Sequence, residues 1–282
     1  MNQGVDFVGG RSYVVRFEQP VSQEKIQSNL IKVLGNAEVK TFGSDNQLKI
    51  TTNYKVDIDS SDIDDEINNI LYIDLIEFMP ENIAYEDFVV NGDENKQAGI
   101  MSSIKVGPTI ADDIKKNSFY AVFGSLIIVF LYILLRFKNW QFSLGAVSAV
   151  FHDVLVVLGI FSLTYSFMPF NMEINQAFIA AVLTVIGYSL NDTVVVFDRI
   201  REYRNINTSW ELPRVVDSAL NSTLSRTLNT SFTTLVVLIS IFVFGGESIR
   251  GFMFALIVGV LIGTYSSVFV ATPVMYDTLK NK

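Results

Sequence analysis

The fold is decided by residues 174–197, INQAFIAAVLTVIGYSLNDTVVVF, a largely apolar run whose single acidic residue is Asp192. A helix needs about 20 such residues to cross the roughly 30 Å hydrocarbon core of a bilayer. The first 116 residues could not cover several such segments in a soluble protein, so the sequence predicts an α-helical integral membrane bundle with five spans. The other four runs lie at approximately 118–135, 142–167, 228–244 and 251–275.

Charge divides the chain near residue 117. Residues 1–116 contain 11 Lys and Arg against 20 Asp and Glu, whereas residues 117–282 contain 10 against 9. We therefore expect an acidic extracytoplasmic domain at 1–116 and a transmembrane domain at 117–282, with a cytoplasmic loop at 199–226. Nucleic acid is not an expected partner, because phosphate backbones are bound by clustered Lys and Arg. With no Cys and one His, a thiol nucleophile and a His/Cys zinc site are excluded.

The first 116 residues alternate between strand and helix patterns. Their order, strand, helix, strand, strand, helix, strand, predicts an α+β ferredoxin-like domain, a fold that by itself specifies no activity. The acidic run 57–66 is interpreted as the solvated start of the second helix. The predicted elements are strands at 11–17, 37–43, 47–53 and 100–106, helices at 21–34 and from Ser60, and a turn at Asp45 and Asn46. The apolar face of the first helix is predicted to contain Ile26, Leu30, Ile31 and Leu34.

Lys and Arg in the short connections predict the orientation, because cytoplasmic loops are enriched in them. They follow the first, third and fifth spans and are absent between the second and third, so the C-terminus is expected in the cytoplasm and the N-terminal domain outside it. An external N-terminus before five spans also predicts a further membrane helix upstream of this chain. These residues are Arg136, Lys138, Arg199, Arg201, Arg204, Arg214, Lys280 and Lys282.

Two spans carry small residues at helical spacing. Such stripes let helix backbones approach closely in lipid, so they predict helix packing. An apolar stripe at 212–220 predicts a separate short helix along the cytoplasmic interface. The small residues are Gly251, Ala255, Gly259, Gly263, Ser267 and Ala271 in the fifth span, and Ala177, Ala180, Ala181, Thr184 and Gly187 in the third.

Two acids lie inside predicted spans, where an ionised side chain costs about 2.5 to 3.5 kcal/mol. Asp153 is near the middle of the second span and Asp192 is in the third. Arg226 precedes the apolar core of the fourth span, which starts from the same side of the membrane, so it can share a depth with Asp192. The polar face expected around Asp192 consists of Tyr188, Ser189, Asn191 and Thr193.

We interpret Asp192 as a proton-coupling residue with Arg226 as its partner. Burial penalises the carboxylate and a nearby guanidinium stabilises it, so a near balance lets the acid gain and lose a proton. A static salt bridge that fixes helix register is the alternative. Asp153 fits either a proton relay or a hydrogen-bonded structural acid, and His152 is expected to be a satisfied histidine that points about 100° away from it.

Several motifs follow one another along most of the chain. They are Gly4-Val5-Asp6-Phe7-Val8-Gly9-Gly10, Val106-Gly107-Pro108, Leu135-Arg136-Phe137, His152-Asp153, Ile186-Gly187-Tyr188-Ser189-Leu190-Asn191-Asp192-Thr193, Asp198-Arg199-Ile200-Arg201-Glu202, Ser225-Arg226-Thr227, Gly245-Gly246-Glu247-Ser248-Ile249-Arg250-Gly251-Phe252 and Gly263-Thr264-Tyr265-Ser266-Ser267. On these residues the chain resembles the SecF family, which includes the SecF half of fused SecDF chains. The long block in the third span is the most specific part of the match.

The resemblance implies a multi-pass inner-membrane protein related to the resistance-nodulation-division transporters, not an enzyme and without a cofactor. It implies that the chain pairs with SecD and assists the SecYEG channel in late export of unfolded preprotein, using a proton or sodium gradient. It also places the coupling acid at Asp192 and an important basic residue at Arg226. The expected partners are therefore SecD, SecYEG, preprotein and membrane lipid.

Two other classes share some of these features. A proton-coupled exporter of small molecules or lipids would use the same buried acid, although the sequence shows no pocket signal. An intramembrane aspartyl protease would pair Asp153 with Asp192, but such a dyad needs the carboxyls about 3 Å apart and sharing a proton.

Overall fold

The computed structural model describes residues 3–58, 60–81, 83–90 and 96–280. The chain forms two compact units. The first unit contains Met1–Asn117, Tyr165–Gln176 and Gly246–Ser248, and the second contains Ser118–Thr164, Ala177–Gly245 and Ile249–Lys282.

The first unit is built on a four-stranded antiparallel sheet with strand order β2-β3-β1-β4. This order, with two helices in the crossovers, is the predicted ferredoxin-like arrangement, which is confirmed. The strands are β1 (Gly10–Arg16), β2 (Glu38–Phe42), β3 (Ser44–Thr52) and β4 (Gly99–Val106), and the helices are α1 (Val5–Val8), α2 (Gln23–Leu34), α3 (Ser61–Leu75) and α4 (Tyr85–Val89).

The two long helices of this unit pack on the sheet through apolar residues at four-residue spacing. In α2 these are Ile26, Leu30 and Leu34, whereas Ile31, expected on the same face, is 42% exposed. Capping sets where the helices begin. The Ser22 hydroxyl accepts from the backbone N–H of the third residue of α2, and the Ser60 hydroxyl accepts from that of the second residue of α3. The buried residues of α3 are Ile67, Leu71 and Leu75.

The hairpin between β2 and β3 differs from the prediction. The chain reverses at Gly43, whose φ of +82° suits glycine, and β3 already begins at Ser44. Asp45 and Asn46, predicted as the turn, lie in the strand instead. Asn46 uses its amide to donate to the Phe17 carbonyl at 2.8 Å, so its polarity serves a contact across the sheet.

The acidic run 57–66, which extends into the first turns of α3, also differs from the prediction, because part of it pairs with basic residues. Asp64 binds the buried Arg11 of β1 and Lys105 of β4, and Glu66 binds Lys55. Burial alone would raise the pKa of Asp64, but hydrogen bonds from Lys105 and Arg11 hold this pKa below its usual value. The run is therefore partly a tie between α3 and the sheet.

The five predicted spans are confirmed, since five helices among the described residues are long and apolar enough to cross a membrane. The last span contains a π-helical turn, Ser267–Ala271, just before Pro273, which has no N–H to continue an α-helical ladder. The helices are α5 (Pro108–Phe137), α6 (Trp140–Thr164), α7 (Gln176–Ile206), α8 (Leu212–Phe244), α9 (Glu247–Ser266) and α10 (Thr272–Lys280).

The expected loop at 199–226 is wrong, because α7 extends to Ile206 and α8 begins at Leu212. The expected interfacial helix at 212–220 is likewise the first part of continuous α8. The high-hydropathy stretch begins only at 228 because Ser, Thr and Arg residues precede it. None of these residue types breaks a helix, so α8 continues through them. Pro213, near the start of α8, is where proline is tolerated.

The two small-residue stripes have different environments. In α9, Gly259 lies against Val185 and Gly263 lies against Ser189, so the backbones of α7 and α9 approach closely as predicted. In α7, only Ala181 of the predicted stripe is buried. The others, Ala177, Ala180, Thr184 and Gly187, are exposed within this chain.

Candidate ion-coupling site in the membrane unit

Asp153 on α6 is the centre of a buried hydrogen-bond cluster. Its carboxylate is 1% exposed, and one oxygen accepts from Ser189 Oγ of α7 at 2.6 Å and from Ser266 Oγ of α9 at 2.8 Å. A carboxylate buried in a membrane span needs such donors, because lipid supplies none. Asp153 therefore joins three helices as a satisfied acid.

His152 does not point away from Asp153 as expected. Its Nδ1 lies 3.1 Å from the other oxygen of Asp153, and its side chain is 35% exposed. The 100° between neighbouring residues applies to their Cβ directions, and the imidazole reaches back across that angle. His152 thus connects the buried acid to the surface of the unit.

Asp192 on α7 has the opposite environment. It is 3% exposed, and within the described part of the chain it makes no hydrogen bond, with its Oδ2 fully buried and unpartnered. Thr193 Oγ1 and Thr227 Oγ1 are also buried without a partner there. An unsatisfied buried acceptor costs about 1 to 3 kcal/mol, and more when it is charged, so this carboxyl calls for a proton or a partner group.

The level of Arg226 follows from the contacts between α7 and α8. Tyr188 donates to Ser231 Oγ at 3.3 Å, and Arg199 donates to Ser222 Oγ at 3.0 Å, so the two helices run antiparallel. Interpolating between these two contacts places the α8 residue opposite Asp192 within one helical turn of Arg226, so the two residues lie at a similar level of the paired helices.

The two residues do not form an ion pair in this structure. No Asp192–Arg226 nitrogen–oxygen distance is within 4.0 Å, and Arg226 is exposed, without a side-chain partner among the described residues. Arg226 still acts on Asp192 through longer-range attraction. The predicted partner is thus at the right level but is not in contact.

The predicted polar face divides between two sides of α7. Ser189 and Thr193 are buried on the side of Asp192, Tyr188 is half-buried, and Asn191 is exposed. This division follows helical geometry, because Asn191 lies one turn from the exposed Gly187 and not from the buried Ser189.

Three hydroxyl residues of the cluster were missed by sequence reasoning: Ser231, Thr264 and Ser266. Ser231 Oγ lies 2.5 Å from Thr264 Oγ1, which extends the Tyr188 contact from α7 through α8 to α9. A signal was present in α8, where Thr223, Thr227 and Ser231 recur every four residues. All three of these side chains are buried.

The geometry does not support a protease dyad. Both oxygens of Asp153 are engaged by serine or histidine side chains, and Asp192 makes no hydrogen bond to it. Two carboxyls that shared a proton would be in direct hydrogen-bond contact.

Comparison with known proteins identifies the family. The family model described as "Protein export membrane protein SecD/SecF, C-terminal" matches residues 88–281, and "SecD/SecF GG Motif" matches residues 1–21. Protein translocase subunit SecF of Rhodothermus marinus is 45% identical over 275 residues, 97% of this chain and 82% of that protein. The same subunit of Thermodesulfovibrio yellowstonii is 37% identical over 283 residues, 99% and 84% of the two chains.

Solved structures agree. The crystal structure of SecDF, a translocon-associated membrane protein from Thermus thermophilus, matches with a TM-score of 0.79 and 30% identity, over 100% of this chain and 35% of that one. Because the first of the family models covers more than half of the chain, and the relatives match nearly all of it, the chain belongs to the SecD/SecF family of protein-export membrane proteins.

Proposed function

We propose that this chain is a SecF-type auxiliary subunit of the Sec translocase, which works with SecD and SecYEG to promote late export of unfolded preprotein. The energy comes from a proton or sodium gradient across the inner membrane. Family membership and the five spans support a multi-pass translocase subunit rather than an enzyme or a small-molecule exporter. The Lys and Arg distribution supports an extracytoplasmic N-terminal domain and a cytoplasmic C-terminus.

The observation that carries the coupling role is the buried, unpartnered carboxyl of Asp192. A group in that condition changes its preferred surroundings when it gains or loses a proton or binds a cation. Arg226 is exposed on the neighbouring helix α8, at a similar level to Asp192. A change in the charge of Asp192 would switch the electrostatic attraction between the two side chains on or off. One elementary charge crossing 100 mV is worth about 2.3 kcal/mol, enough to bias two helix packings of similar energy.

Asp153 takes a structural role in this proposal. Its hydrogen bonds to Ser189 and Ser266 hold α7 and α9 against α6, which gives the bundle a fixed reference. Asp192 lies one turn beyond Ser189 on α7 and is not held in this way. In this proposal the residues around Asp192 therefore move relative to the Asp153 cluster, which stays in place.

The exposed stripe of α7 supports SecD as the neighbour. Small residues favour close helix contact in lipid, yet four of the five residues of this stripe are exposed in the described part of the chain. Asn191 continues it with an exposed amide, which lipid cannot satisfy. We assign this face to a SecD helix.

The test is translocation by proteoliposomes that contain SecD, SecYEG and this subunit, with and without an imposed gradient. Asp192→Asn keeps the shape of the side chain and removes its titration, so gradient-stimulated translocation should be lost. Asp217→Asn is the matched control, because Asp217 is an exposed acid of α8 outside the cluster. Full stimulation in Asp192→Asn would refute the coupling role, and solute flux without SecYEG would favour an exporter.

A further inference from the structure

We propose that Asp6 and Lys49 are positioning residues that fasten the start of α7 to the N-terminal domain and so transmit movement of α7 to it. The proposal rests on the coupling role proposed for Asp192. It concerns residues 171–176, which we call the pre-α7 segment, and every contact used below lies within the first compact unit.

The pre-α7 segment is tied to the N-terminus of the chain. Asp6 Oδ2 accepts a hydrogen bond from the backbone N–H of Gln176, the first residue of α7, at 3.0 Å. Gly4 donates its backbone N–H to the Ile174 carbonyl at 2.9 Å. A carboxylate at the first turn of a helix satisfies an N–H that the helix leaves open and is attracted by the helix dipole.

A second tie comes from the sheet. Lys49 of β3 forms an ion pair with Glu173, and the two side chains are only 14% and 5% exposed. Lys49 lies in the middle of the strand, paired with Val14 of β1 and Lys40 of β2. The segment is therefore anchored to the rigid centre of the domain.

A third tie comes from the start of α9. The Asn171 backbone N–H donates to Glu247 Oε1 at 3.0 Å, and Glu247 is 8% exposed. Glu173 is oriented in addition by its own N–H, which donates to Asn171 Oδ1 at 3.2 Å. Four of the six residues in the pre-α7 segment thus make contacts with three different parts of the unit: the N-terminus, β3 and the start of α9.

The opposite end of this mechanical link is Asp192. α7 is one continuous helix from Gln176 to Ile206, and Asp192 lies sixteen residues after Gln176, or about 24 Å at 1.5 Å per residue. A continuous helix passes an axial or rotational displacement along its length. Asp6 holds Gln176, the first residue of α7, and Lys49 holds Glu173 three residues before it. Such a displacement must therefore either move the N-terminal domain or break these ties.

The experiment compares variants in the complete SecD–SecYEG proteoliposome system. In the double variant Asp6→Ala/Lys49→Met, gradient-stimulated translocation should fall about five-fold or more relative to gradient-independent translocation, the size of a typical coupling between two sites. Asp6→Asn keeps an acceptor oxygen and should stay close to the native chain. Lys55→Met is the control, because it removes an equivalent ion pair, with Glu66, from the exposed surface of the same domain.

Hydrogen exchange separates coupling from simple stability. In the native chain an imposed gradient should alter exchange both around Asp192 and in α1 and β3, whereas in the double variant the change should persist around Asp192 and disappear from α1 and β3. An unchanged pattern, or full stimulation per folded molecule, would overturn the proposal. If Asp192→Asn still abolished stimulation, only this proposal would fail and the proposed function would stand.

Discussion

Close packing of α7 on α9 gives the sharpest prediction for stability, at Gly259. A Cβ at this position would lie at or inside 3.0 Å from three side-chain carbons of Val185. Val185 is 2% exposed, and a β-branched side chain in a helix has essentially one rotamer, so it cannot turn away. The Gly259→Ala substitution must therefore push the two helices apart.

The expected cost follows from two opposing effects. Overpacking a well-packed core costs about 1 to 3 kcal/mol, and Ala gains up to about 1 kcal/mol over Gly in a helix interior. Gly259→Ala should thus destabilise the chain by up to about 2 kcal/mol. Gly159→Ala on α6, where a new Cβ meets nothing within 4 Å, should be neutral or slightly stabilising.

Thermal unfolding in detergent, followed by circular dichroism, measures both variants. The double variant Gly259→Ala/Val185→Ala makes the room that the single variant lacks, so it should recover part of the loss, with a favourable coupling between the two changes. If Gly259→Ala were as stable as Gly159→Ala, the close contact between α7 and α9 would be refuted.

Two further predictions concern other parts of the chain. Asp64→Asn leaves the buried Arg11 without its charge partner and should lower the stability of the chain by about 1 to 3 kcal/mol. Arg11→Met should lower it less, because Asp64 stays partly exposed and paired with Lys105. Thermal unfolding should rank the two variants in this order. Because the pKa of Asp64 is lowered on folding, its contribution should be complete above about pH 4 and be lost as the pH falls further, a dependence absent from Asp64→Asn. Ser266→Ala removes one donor to Asp153 and should lower stability by about 1 to 3 kcal/mol, whereas Ser240→Ala on the exposed side of α8 should not.

The sequence was sufficient for features that depend on local pattern. Five apolar runs predicted five spans, and the alternation of strand and helix patterns predicted the strand order of the sheet. The helical spacing of apolar residues predicted the buried face of α2 at Ile26, Leu30 and Leu34, although Ile31, predicted on the same face, is exposed. These features need no knowledge of which distant residues meet.

Features that depend on distant partners were not predictable. The hydroxyl of Ser266 reaches Asp153 across 113 positions, and Asp64 reaches Arg11 across 53. The end of α7 and the start of α8 were misplaced for a related reason. Polar residues between 199 and 226 end the high-hydropathy runs, but α8 already begins at Leu212 and buries Val215 and Ala219. Only the fold shows which polar residues are buried.

The clearest such case is the pair of intramembrane acids. In the sequence Asp153 and Asp192 look alike, since each lies in an apolar span with a serine a few residues before it. In the fold, Asp153 receives two hydroxyl donors and an imidazole, whereas Asp192 receives none from the described residues. A carboxyl whose donors are in place resists a change of position, because moving it would leave those buried donors unsatisfied. A carboxyl without donors has no such penalty, and for this reason we propose the coupling role for Asp192 and the anchoring role for Asp153.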